Sequence, residues 1–100
     1  MTDEQIPSIE VVDVPGRYRF EARIEGEVAG IAQYLRRPDR LIFTHTEVDA
    51  AFEGKGVGSA LAKGALDAVR AGGLGVEPRC PFFASYIRRH REYADLVVSA

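Results

Sequence analysis

The stretch Glu53-Gly54-Lys55-Gly56-Val57-Gly58-Ser59 constrains this chain more than any other. It joins a β-forming run, residues 41–48, to a helical run, residues 57–70. Glycines in alternation leave backbone N–H groups uncovered by side chains where the helix begins. First-turn donors lack intrahelical partners and sit at the positive end of the helix dipole, so such a loop binds anions. Lys55 adds a mobile cation beside them. Read from its residues, the loop is a phosphate cradle.

Two familiar phosphate loops fail against it. A Walker-type loop needs G-x-x-x-x-G-K-[ST], and the Lys-Ser ending with its magnesium-binding hydroxyl is missing. A dinucleotide fingerprint needs G-x-G-x-x-G after an early strand of a parallel sheet. Here the spacing is Gly54, Gly56, Gly58, and the segments upstream read as an antiparallel meander.

That meander has four strands. Residues 8–14 are rich in β-branched side chains and stop at Pro15-Gly16. Tyr18, Phe20, Ala22 and Ile24 alternate with Arg19, Glu21, Arg23 and Glu25, which predicts a half-buried strand with one wet face. Residues 27–35 are extended, with Gly30 a candidate bulge. Residues 36–40 form a charged turn of Arg36, Arg37 and Arg40 around Pro38-Asp39, solvated by default. Residues 41–48 open with an apolar run suited to a central strand.

Beyond the loop, Val57, Ala60, Leu61, Gly64, Ala65, Ala68 and Val69 form one stripe at helical spacing. Its small residues allow close approach to a sheet, and Gly72-Gly73 stops the helix. Residues 74–77 form a short strand ending at Pro78. Strand, helix and strand make a βαβ unit, so this strand runs parallel to 41–48. Pro81 suits a first helical position and puts Cys80 at the N-cap of a second helix. Phe83, Tyr86, Ile87 and His90 share that helix's inner face. Residues 96–98 are a last strand or an apolar tail.

One hundred residues form one domain, read as 8–100 behind a frayed terminus at 1–7. A net charge of −2 argues against a nucleic-acid partner. No apolar run reaches membrane-spanning length and no signal-peptide pattern opens the chain. With Cys80 the sole cysteine, no internal disulfide forms and cytoplasmic residence is the expectation. His45, Cys80 and His90 lack a metal-ligand spacing, so no metal is expected.

The loop fits a third pattern, [QR]-x-x-G-x-[GA] between a strand and an Ala/Leu-rich helix. Phe52 to Leu61 resembles the coenzyme A pyrophosphate loop of the Gcn5-related N-acetyltransferase superfamily. With His45-Thr46-Glu47-Val48, Pro78-Arg79-Cys80-Pro81-Phe82, Tyr86 and Arg89-His90-Arg91-Glu92-Tyr93, the chain from 18 to 97 is similar to its short, single-domain members. The resemblance implies an α/β (α+β) fold with a mixed, mostly antiparallel twisted sheet. It carries a βαβ cofactor-binding unit and two main helices, and its fourth and fifth strands splay apart around acetyl-coenzyme A. By position, the backbone of Gly54, Lys55, Gly56, Val57, Gly58 and Ser59 would hold the pyrophosphate, and Val48 would meet the pantetheine arm. Glu53 stands where the superfamily usually has Gln or Arg. Affinity then leans on backbone donors, Lys55 and Arg79. The amino-terminal helices that build an acceptor pocket in longer members have no counterpart here.

Four side chains carry candidate chemistry. Cys80, at a helix N-cap beside Arg79, is placed to favour the thiolate, which could accept an acyl group; the short members also carry a cysteine here. Its ordinary alternative is a small buried apolar residue. His45 is a candidate base for an amine, or a histidine hydrogen-bonded between sheet and helix. Glu47, two residues on, faces the same side and could orient His45 or deprotonate through water. Tyr86 aligns with the tyrosine that often protonates the departing thiolate in the superfamily, and equally suits core packing. The expectation is acetyl transfer from acetyl-coenzyme A to an amine of a small molecule or peptide. The alternatives are a coenzyme A-binding or sensing module with little turnover, and a structural interaction domain.

Overall fold

The computed structural model describes residues 8–98; the frayed terminus expected at 1–7 lies outside them. Four strands, β1 (Ile9–Val14), β2 (Arg19–Ile24), β3 (Glu27–Arg37) and β4 (Arg40–Val48), pair antiparallel in sequence order. The helix α1 (Val57–Ala71) then crosses over, and β5 (Gly75–Pro78) joins β4 in parallel. The helix α2 (Pro81–Arg89) and a 3-10 turn, Arg91–Leu96, follow. The sheet order is β1-β2-β3-β4-β5. This is the mixed, mostly antiparallel α/β fold expected from the strand spacing and the βαβ unit.

Both helices cover one face of the sheet. The core lies there, built on Phe20, Ala22, Ala32, Tyr34, Leu41, Phe43 and Val76 from the strands. Leu61, Ala65, Leu66 and Val69 of α1 and Phe83, Tyr86 and Ile87 of α2 close it. Phe43 and Phe83 are both fully buried and stack with centroids 4.2 Å apart and planes 8° off parallel. Burying each contributes about 1.5–3 kcal/mol, and the aromatic contact adds roughly 1 kcal/mol.

The buried stripe of α1 is rotated slightly from the one expected. Ala62 and Leu66 are fully buried and Ala68 is exposed. The expected close approach is present. A Cβ at Gly64 would stand 2.7 Å from Val11 Cβ, so α1 rests on β1 with no room for a methyl group.

Two local expectations are corrected. Tyr18 does not begin a strand: it closes the Pro15–Arg17 turn with φ 54°, donates its N–H to Pro15 O at 3.0 Å and is exposed. The bulge near Gly30 falls beside it at Ala29, because Ala22 pairs with Gly30 and Arg23 with Val28. Gly30 serves close packing instead, since a Cβ there would lie 3.0 Å from both Glu47 O and Val57 Cγ1. Of the two readings of residues 96–98, the apolar tail holds, with Val97 making a single parallel bridge to Val76.

The helix-free face of β2 is not simply wet. Glu21 is buried, and Arg19 and Arg23 grip its two carboxylate oxygens with bonds of 2.7–3.1 Å. Two charge-assisted forks on one carboxylate offset the cost of taking it from water. The hydrogen bonds from Arg23 and Arg19 hold the pKa of its carboxyl below the ordinary value. A folded value below the unfolded one stabilises the fold above about pH 4.5, and this is lost as pH falls through the folded value. The urea midpoint should therefore drop between pH about 5 and about 3, and in Glu21→Gln part of that slope should vanish. An unchanged slope would assign the acid sensitivity elsewhere. Separately, Gly64→Ala should cost about 1–3 kcal/mol in thermal or urea melts, and Val11→Ala in the same chain should recover part of it.

Candidate functional site

The sheet forks between β4 and β5. Their parallel pairing runs from Arg40↔Gly75 to Phe43↔Pro78 and ends there. Pro78 has no N–H to continue the ladder. One further bond, Cys80 N–H to Phe43 O at 2.9 Å, ties the start of α2 to β4 at the base of the fork. Above it, the backbone of β4 from Thr44 to Val48 has no strand on its β5 side.

A β-bulge sets which side chains enter this fork. Tyr34 pairs with Phe43 but Gln33 pairs with His45, so Thr44 is the extra residue. Unbroken alternation from Phe43 would turn His45 and Glu47 toward the helices. The extra residue reverses that. Thr46 and Val48 face the helices: Thr46 Oγ1 lies 3.2 Å from Cys80 Sγ, and Val48 packs against the core. His45 and Glu47 point to the helix-free face, exposed, with Nε2 and Oε2 3.0 Å apart.

Cys80 is buried, as the N-cap of α2, with Pro81 in the first turn. Its sulfur takes no hydrogen bond from the helix backbone. Its Sγ partner is Thr46. Arg79, beside it in sequence, instead gives its Nε–H to Glu77 Oε2 and holds that carboxyl's pKa below its ordinary value.

The glycine loop stands at the open end of the fork. A 3-10 turn, Ala50–Phe52, leads into it, capped by the Asp49 carboxylate, which accepts Ala51 N–H at 2.9 Å. Gly54 and Gly56 have φ of 82° and 79°, a left-handed backbone that glycine adopts without strain. The first helical bond of α1 runs from Ala60 N–H to Gly56 O at 3.0 Å. The N–H groups of Val57, Gly58 and Ser59 thus lack an α-helical acceptor. A Cβ at Gly58 would lie 3.0 Å from Phe82 Cζ, so glycine lets the starts of the two helices touch. This packing brings the loop and Cys80 to one end of the molecule. Glu53 and Lys55 are exposed there and form no ion pair among the described residues.

Tyr86 lies elsewhere. Six residues of helix put it about 9 Å along the α2 axis from Cys80. Its buried ring stacks on His90 at 3.9 Å, and His90 Nδ1 lies 2.9 Å from Tyr86 O. Burial, and then the charge of Glu92, push the pKa of its phenol up, so it keeps its proton at neutral pH. Arg36, Arg37 and Arg40 sit at the far end of β4, whose length separates them from the loop by roughly 26 Å.

The structure therefore brings together the glycine loop, Val48 and Cys80, and pairs His45 with Glu47 on the opposite face. It buries Tyr86 farther along α2 and turns the guanidinium of Arg79 to Glu77. Thr46 was not singled out by its sequence context. The bulge that turns it inward arises from the pairing of two strands and leaves no mark in the sequence of either. Among the described residues no helix is long and apolar enough to cross a membrane, and no cluster of His, Cys, Asp or Glu could hold a metal ion.

A forked α/β sheet with a glycine loop opening its crossover helix defines an N-acetyltransferase-type domain. A sequence profile of the GCN5-related N-acetyl-transferase family matches residues 19–96. The chain belongs to that family, whose general role is acyl transfer. The sequence matched none of the curated proteins with which it was compared. Its fold is similar to the NMR solution structure of a GCN5-like protein from Staphylococcus aureus, with TM-score 0.63 and 21% identity. That match covers 96% of this chain and 92% of the other.

Because Gly56 needs φ of 79° while a Cβ there would meet nothing within 4 Å, Gly56→Ala probes backbone strain alone. It should lower stability by about 1 kcal/mol in a urea melt. A neutral result would mean that the loop relaxes to another conformation.

Proposed function

We propose that this protein binds acetyl-coenzyme A in the β4–β5 fork and transfers its acetyl group to an amine of a small molecule or peptide. The observation that carries the reading is the position of Cys80 at the base of the fork, at the same end of the molecule as the glycine loop. The N–H groups of Val57, Gly58 and Ser59, which lack an α-helical acceptor, suit a pyrophosphate together with Lys55. Val48 and the free β5-side backbone of β4 suit a pantetheine arm. The Cys80 thiolate would attack the thioester carbonyl carbon, forming a new carbon–sulfur bond as the bond to the coenzyme A sulfur breaks. An amine nitrogen would then take the acetyl group from Cys80, returning the thiolate, and its proton would pass to water; His45 or Glu47, on the opposite face of β4, would receive it only through that water.

One observation favours a second reading, a coenzyme A-binding or sensing module with little turnover. His45 and Glu47 lie on the sheet face opposite Cys80 and Thr46, so base and nucleophile do not share a surface. Glu53 at the loop also sets a negative charge near the anion. Arg79, engaged by Glu77, adds cofactor affinity in either reading only by leaving that pair.

Saturating acetyl-coenzyme A should raise the thermal midpoint by linkage, and absence of a shift would remove both readings. Intact mass after incubation should then gain one acetyl group, lost in Cys80→Ser; binding without adduct or turnover on an amine panel would select the sensor. Tyr86→Phe should retain most of any turnover, given its distance along α2. A hundredfold fall would restore it as the proton donor.

A further inference from the structure

Above Phe43, where the strands part, one side-chain hydrogen bond crosses the fork among the described residues: Thr46 Oγ1 to Cys80 Sγ, 3.2 Å. Both ends are fixed. Threonine is stiff at χ1, and the β4 bulge at Thr44 turns it inward. Cys80 is held by its N–H to Phe43 O and by its own carbonyl, which accepts Ala84 N–H at 3.0 Å. The other charged and polar groups near the sulfur in sequence, and those flanking Thr46, are directed elsewhere. Arg79 bonds Glu77, His45 and Glu47 occupy the opposite face, and the first turn of α2 makes no bond to the side chain. Pro81 supplies no N–H at all.

We propose that Thr46 is a positioning residue for Cys80: its hydroxyl donates a hydrogen bond to the thiolate and holds Sγ toward the opening of the fork. The hydroxyl can reverse its role, accepting from the S–H of the resting thiol and donating once the proton has left. The helix N-terminus and Arg79 were the expected source of this stabilisation. In the folded chain that source is a strand residue thirty-four positions away in sequence. The inference rests on the reading of Cys80 as the acyl acceptor, yet it concerns the reactivity of the thiol itself and can be measured without acetyl-coenzyme A.

The test compares wild type, Thr46→Val and Thr46→Ser in the full chain, each with its thermal midpoint recorded. Valine keeps the shape and removes the hydroxyl, whereas serine keeps the hydroxyl. Second-order rates of Cys80 modification by methyl methanethiosulfonate, a small neutral probe, should fall about tenfold in Thr46→Val, the size expected from losing a hydrogen bond to a charged group. In Thr46→Ser the rate should return to within about twofold of wild type. Equal rates in wild type and the valine variant would overturn the proposal, as would a serine variant as slow as valine. Acetyl-adduct formation, followed by mass on the same three proteins, reports separately on the acyl-transfer reading. A wild-type thiol that reacts with the probe but never gains an acetyl group defeats that reading and leaves the Thr46 comparison intact.

Discussion

The architecture depends on where β4 and β5 stop pairing. Up to Phe43 and Pro78 they are an ordinary parallel pair, and beyond them β4 continues with a bare edge. An open edge inside a sheet would be a liability without support from below. Here the Phe43–Phe83 stack supplies it, pinning α2 beneath the parting strands at 4.2 Å. Phe20 and Tyr34 extend the aromatic cluster, with centroids 5.5–6.1 Å apart, across β2 and β3. A buried aromatic cluster thus lies under the parting strands.

From that base, small residues bring the functional elements together. Gly30 admits Val57, Gly58 admits Phe82 and Gly64 admits Val11, each where a Cβ would crowd a neighbour at 3.0 Å or less. These contacts lower α1 onto the sheet and set its N-terminus against that of α2. At the other end of α1, Arg70 reaches Asp95 and the carbonyl of Glu92, and Tyr93 donates to Asp67 at 2.7 Å. The 3-10 turn after α2 is therefore tied to α1, and Tyr86 and His90 fill the space between. This explains why Tyr86 is buried and belongs to the packing of that region.

Much of the plan was legible locally. Period-two alternation located β2, an apolar run located β4, and the small-residue stripe located α1. Pro81 and Gly72-Gly73 marked helix ends because their backbone preferences act wherever they stand. The parallel sense of β5 followed from the handedness of a helical crossover. Less legible were the faces. Glu21 alternates like a solvent-facing residue, yet two arginines on its own strand enclose it. Arg79 is a neighbour of Cys80 in sequence, but its guanidinium turns back to Glu77, two residues before it.

The sequence by itself determined the elements, their order, the glycine loop and the family, because each rests on short-range geometry or on residues at fixed spacing. Only the tertiary structure decided which members of His45-Thr46-Glu47-Val48 face the fork. A β-bulge is a relation between two paired strands, and Thr44 becomes the extra residue only when β4 is laid against β3. That single offset exchanges the two faces of β4 beyond it. Thr46 then meets Cys80, while His45 and Glu47 meet each other on the far side.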